Sequence, residues 1–117
     1  MRLFPLLLTA LLSASPALAA DKRVLRIDSL TASQKDGAVL VQAKGAVESG
    51  GWTKPHLHLL HGDGHSLALE FLAAPPPPGM TVIDGLVPVT ATLSVKGHAV
   101  SVQVQADENE ITSQVLK

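Results

Sequence analysis

The chain contains no cysteine. That excludes disulfides, zinc–thiolate sites and thiol nucleophiles. Aromatic residues are scarce: tyrosine is absent, and Phe4, Trp52 and Phe71 complete the set. A platform that stacks bases or sugars needs several rings, so that class is excluded as well. Nine Lys and Arg stand against ten Asp and Glu, a formal net charge of -1. No electrostatic footprint for nucleic acid is present. No apolar run reaches the roughly twenty residues that a membrane-spanning helix needs. At 117 residues the chain has room for one domain.

The longest apolar run, Leu3 to Leu12, follows Arg2 and precedes a small-residue stretch ending in Ala17-Leu18-Ala19. This is the layout of a secretory signal peptide, with cleavage expected after Ala19 and, as second choice, after Ala20. There is no cysteine for a lipid anchor and no twin arginine. The expected organisation is a leader over 1–19 and one domain over 20–117, periplasmic or extracellular, with no membrane anchor after cleavage. Removing the leader takes Arg2 and Phe4 with it. Eight basic and ten acidic residues remain, with all five histidines and only two aromatics. A small exported domain without disulfides must rest on an aliphatic core.

Period-two alternation dominates the remainder, and helical periodicity is absent. Val87 to Val95 alternates apolar with Pro88, Thr90, Thr92 and Ser94, and Ala99 to Ala106 alternates likewise. With Lys96-Gly97 between them, these two predict a hairpin. Arg23–Leu30 and Ala38–Val47 predict another around Lys35-Asp36-Gly37. Pro55–Leu60 and Ser66–Leu72 predict a third around Gly62-Asp63-Gly64. Glu110 to Val115 and Thr81 to Ile83 are further short strands. Pro88 requires an edge or a strand's first turn, since it has no N–H. Seven to eight short strands with regular turns predict an all-β, antiparallel, immunoglobulin-like β-sandwich.

Two segments do not read as strands. Glu48 to Lys54 contains Gly50-Gly51-Trp52, and Ala73 to Met80 contains four consecutive prolines and Gly79. The prolines predict a stiff polyproline II stretch. Here the chain resembles a group of small, uncharacterised exported bacterial proteins. They share a Gly-Gly-Trp-x-x-Pro segment, here Gly50 to Pro55, and a Pro-rich loop, here Ala74 to Gly79. The resemblance implies export and a β fold and carries over no catalytic residues.

Four histidines, His56, His58, His61 and His65, fall within ten residues. Imidazole is the commonest transition-metal ligand. With Gly62-Asp63-Gly64 as a three-residue loop, His61 would face His65 and His56 would face Glu70. His56, His58 and Glu70 would then share the outer face as candidate ligands for copper or zinc. His61 and His65, near Asp63, would form a looser set on the inner face at the turn. Solvated histidines on a polar face are the plain structural reading of the same residues.

No catalytic constellation appears. Gly64-His65-Ser66-Leu67-Ala68 lacks the second glycine of a nucleophile elbow and the α/β sheet that motif needs. Asp28, Asp84, Glu108 and Glu110 are scattered beside turns, unpaired as acid and base. Trp52 reads as a plug of the core or as an anchor for a partner. The expected function is therefore non-enzymatic: an exported module binding an unknown protein or small molecule through Trp52, Pro76 and Pro77. The alternative is a periplasmic copper or zinc binding protein using the hairpin 56–65.

Overall fold

The structure, a computed structural model, describes residues 21–117. The expected leader and its cleavage site lie outside the described residues. Eight strands and no helix are found among the described residues: β1 (Lys22–Arg23), β2 (Arg26–Lys35), β3 (Ala38–Ser49), β4 (Thr53–Gly62), β5 (Ser66–Ala74), β6 (Asp84–Lys96), β7 (Ser101–Gln105) and β8 (Glu110–Leu116). The all-β expectation and the strand count hold. The strands hydrogen-bond into a single sheet that curls into a half-barrel.

Alternation explains which residues face inward, because successive side chains leave a strand on opposite faces. In β5, Leu67, Leu69, Phe71 and Ala73 are buried, while Ser66, Ala68, Glu70 and Leu72 are half-buried on the other face. In β3, Val39, Val41 and Ala43 are buried, while Leu40, Gln42 and Lys44 are exposed. Val102 and Val104 of β7 join the same core as Ile27, Ala32 and Val47. Each fully buried Val, Leu or Phe contributes about 1.5–3 kcal/mol over an exposed one.

The first hairpin forms as expected. Asp36 and Gly37 turn with φ 53° and 78° between Lys35 and Ala38, the two positive angles of a two-residue hairpin turn. The hairpin expected between Val87–Val95 and Ala99–Ala106 does not form. β6 pairs with β3, and β7 pairs with β5 and β8. Gly97 donates its N–H to Gly37 O at 2.9 Å, so Lys96-Gly97 closes onto the first turn, and the chain then crosses to β5. Alternation reports which face is buried and not which strand is the neighbour. Thr81 to Ile83 is not a strand.

Pro88 lies on an edge, as required. β6 pairs only with β3, and Pro88 lies opposite Ala46. Gly97 is a donor toward β3, so the odd-numbered residues of β6 point their N–H groups inward. Pro88, even-numbered and so outside that set, stands where an N–H would point outward. β4 runs alongside this edge without pairing to it.

Two local devices fix how β2 joins the sheet. At the bulge between Ile27 and Ser29, the Asn109 side chain acts as a substitute strand. Its Oδ1 accepts from Ile27 N–H at 2.9 Å, and its Nδ2 donates to Ile27 O at 2.9 Å. Asn109 reaches Ile27 from the exposed turn between β7 and β8. Opposite the same bulge, Gly45 is buried, and a Cβ there would run into the Arg26 carbonyl oxygen and its carbon. Asn109→Ala should lower unfolding stability in urea by about 1–3 kcal/mol, the cost of leaving two part-buried backbone groups unpaired. Gly45→Ala should destabilise, whereas Lys44→Ala beside it should not. Equal midpoints for all three variants would contradict this account.

Candidate functional site

Two regions carry the candidate residues. The first is the end of the sheet where the Gly-Gly-Trp loop and the proline loop meet. Gly50 donates its N–H to Ile83 O at 3.0 Å. Gly51 holds φ 90°, and a Cβ there would sit 2.8 Å from Val82 Cγ1 and 3.0 Å from Pro76 Cβ. Glycine is therefore demanded twice at this position, by conformation and by space. Pro75 and Pro76 are half-buried, and Pro77 and Pro78 are exposed. Met80 N–H donates to Pro77 O at 3.2 Å, with Gly79 at φ 84°. Proline followed by glycine at the centre of the turn makes it type II.

Beside these loops the surface is apolar. Ile83 is 84% exposed, and Met80 and Leu86 are each 53% exposed. The sequence reading missed these three, since a single exposed apolar residue carries no pattern. Trp52 is half-buried and packs against the core. Its Nε1 is buried and finds no partner among the described residues. The indole also lines a cavity of about 460 Å³ with Lys22, Arg23, Glu48 and Asp107. Trp52 thus packs against the core and borders an open cavity.

The second region is the outer face of β4 and β5. The hairpin forms, but in a different register from the expected one. His58, not His56, lies opposite Glu70, and His56 lies opposite Leu72. The turn moves because the Asp63 carboxylate accepts N–H bonds from His65 and Ser66, both at 2.9 Å. Leu57 now meets Phe71 and Leu59 meets Leu69, in place of the expected Leu57–Leu69 and Leu59–Leu67 pairs, and a bulge follows between Leu59 and His61. The bulge carries His61 to a place opposite Ala68. Residues directly opposite share a face. His61 therefore joins His56 and His58 on the outer face, which corrects its expected inner position. His65 stays in the turn.

Asp21 and Arg23, which the sequence reading did not single out, tie this face together. Arg23 Nε donates to Glu70 Oε1 at 3.2 Å, and Glu70 Oε2 lies 3.1 Å from His58 Nδ1. His56 turns away from Glu70: its Nε2 lies 3.2 Å from Asp21 Oδ2 and its Nδ1 2.8 Å from Lys54 O. So His56, His58 and Glu70 share a face without converging. Among the described residues no three His, Asp or Glu side chains are gathered to hold one ion. The fifth histidine, His98, lines cavities with Gly64 at the turn end, a neighbourhood that chain spacing does not reveal.

Comparison with protein families, curated proteins and solved structures finds no match to this chain.

Two carboxyls on this hairpin are shifted. The backbone N–H groups of Ser66 and His65 hold Asp63 below its ordinary value. Partial burial alone would raise Glu70, but hydrogen bonds and positive charge from His58 and Arg23 outweigh it and hold the carboxyl below its ordinary 4.5. A depressed carboxyl stabilises the fold above its unfolded value, and that contribution is lost as pH falls through the folded one. Wild-type stability should therefore decline with acidification below 4.5, and Glu70→Gln should remove part of that decline. Parallel stability–pH curves for the two chains would contradict the assignment.

Proposed function

We propose that the protein is an exported, non-enzymatic β module that binds another protein through the end formed by the Gly-Gly-Trp and proline loops. The observation that carries this reading is the apolar patch of Met80, Ile83 and Leu86 beside two loops that brace each other. The brace is the Gly51 backbone against Pro76 and Val82. A pre-organised loop loses little entropy on binding, and exposed apolar clusters on small domains mark interaction sites. Trp52, next to Gly51 in the chain, packs against the core, and Pro76 and Pro77 supply the loop's rigid flank. The leader-like residues 1–19 and the resemblance to exported bacterial proteins support export. We further read the curled sheet as an immunoglobulin-like sandwich, supported by the single core that β5 and β7 share with β2 and β3.

The test uses the secreted chain immobilised against an envelope extract from its own source. One protein retained by the wild type should be lost with Ile83→Asp, a change at an exposed position that leaves the fold intact. The expected loss exceeds about 2 kcal/mol in binding, as for a hot-spot residue. Retention undiminished by Ile83→Asp and by Met80→Asp would contradict the proposal.

A further inference from the structure

The curled sheet leaves part of its inner face uncovered where its two edges approach. Leu59 of β4 stands two residues beyond the buried Leu57 and opposite the buried Leu69, so it belongs to the inner face. It is still 38% exposed. Leu93 and Val95 of β6 lie opposite Val41 and Val39, both buried, yet they are only half-buried themselves. β4 and β6 do not pair, so the seam between them opens onto core-facing side chains. At the end that carries the hairpin turns, the seam widens into cavities. One of about 220 Å³ is lined by Leu59, Leu67 and Val95. Another of about 360 Å³ is lined by Ala99, Val100 and Val115. Gly64 and His98 border both.

We propose that this mouth binds the monomeric anion of a fatty acid, with its carboxylate at Lys96 and His98 and its acyl chain between Leu59 and Val95. The site lies at the opposite end of the strands from the Gly-Gly-Trp and proline loops and does not depend on the binding proposed there. Charge selects the occupant. Lys96 and His98 border the smaller cavity, Lys117 and His98 the larger, and no carboxylate lines either. Among the described residues none of these three side chains takes part in an ion pair. Asp63, on the adjacent turn, is already held by the N–H groups of His65 and Ser66. An ammonium and an imidazole N–H both donate to a carboxylate, whereas a cationic head would meet like charge. A peptide would bring main-chain groups that aliphatic walls cannot pair. An acyl chain brings none, and the mouth of a β-barrel is a recurrent seat for such ligands. The walls are held in advance. Gln34 Nε2 donates to Ala38 O at 3.0 Å and to Gly97 O at 2.9 Å, which ties the Lys96–His98 link to the first turn. Val100 N–H donates to His65 O at 2.6 Å and ties the other wall to the second turn. Such fixed walls lose little entropy on binding.

The test titrates the purified protein by calorimetry with dodecanoate, octanoate and dodecyltrimethylammonium, each below its micelle concentration. Amide shifts in solution then locate the bound chain. One equivalent of dodecanoate should bind with micromolar affinity and shift the Val95 and Val100 amides. Octanoate should bind more weakly by about tenfold or more, since each buried methylene is worth about fourfold in affinity. Dodecyltrimethylammonium should not bind. The double reversal Lys96→Glu with His98→Glu should weaken dodecanoate by about tenfold or more, and Leu59→Ser should weaken it as well. Lys44→Glu, a reversal on the outer face of β3, should leave it unchanged. The Lys96 and His98 changes lie at exposed positions, so they decide the matter even if Leu59→Ser lowers stability. No saturable uptake of dodecanoate, or equal affinity for the cationic amphiphile, would overturn the site. So would shifts confined to Met80 and Ile83, or uptake undiminished by the double reversal. Capture of phosphatidylglycerol vesicles without uptake of the monomeric acid would overturn it in favour of a membrane surface.

Discussion

The structure depends on one strand joining two halves without any covalent staple. β8 pairs antiparallel with β7 along Glu110–Gln114, and its last residues, Val115 and Leu116, pair in parallel with Ala32 and Ser33 of β2. Through β8, the group of strands around β5 becomes continuous with the β2–β3–β6 group. A chain with no cysteine and two aromatics in its described part must gain its stability from such continuity and from the aliphatic core it encloses. Asn109 reinforces the junction by hydrogen-bonding both backbone groups of Ile27. Val115 adds a bond from its N–H to Val100 O at 2.8 Å.

That junction lies apart from the two candidate surfaces. Beside the outer face of β4 and β5 lie two separate polar groups, Arg23–Glu70–His58 and Asp21–His56. None of these groups supports the core. At the end where β3 leads into β4 and β5 into β6, the two loops brace each other through glycine and proline contacts. Trp52, next to Gly51 in the chain, packs against the core. The opposite edges, β4 and β6, approach without pairing. Pro88 removes an outward donor from one edge and Pro55 interrupts the other, which keeps the half-barrel open.

Much of this was legible in the chain. The alternation in Ser66 to Leu72 and in Ala38 to Val47 fixed both strands and their buried faces. Lys35-Asp36-Gly37 declared its turn, since few residues other than Asp and Gly accept two successive positive φ angles. Pro88 declared an edge. What remained illegible was long-range. Nothing local distinguishes Val100 to Val104 as a partner of β5 from the same residues as a partner of β6. The histidine register failed for a different reason. One side chain, Asp63, captured two N–H groups and moved the turn, and the bulge after Leu59 turned His61 outward. Asp21 and Arg23 escaped notice because a two-residue strand has no period to read.

The central claim is that the two groups of strands form one cooperative unit through β8 and Asn109. Native-state amide exchange tests it most directly. The Ile27 and Val115 amides should exchange only by global unfolding, as slowly as those of Val102 and Val104 in the core. Thr90 and Thr92, whose N–H groups point out from the open edge of β6, should exchange far faster. Rapid exchange at Ile27 and Val115 alongside slow exchange at Val102 and Val104 would show that the halves separate independently, and would contradict the account.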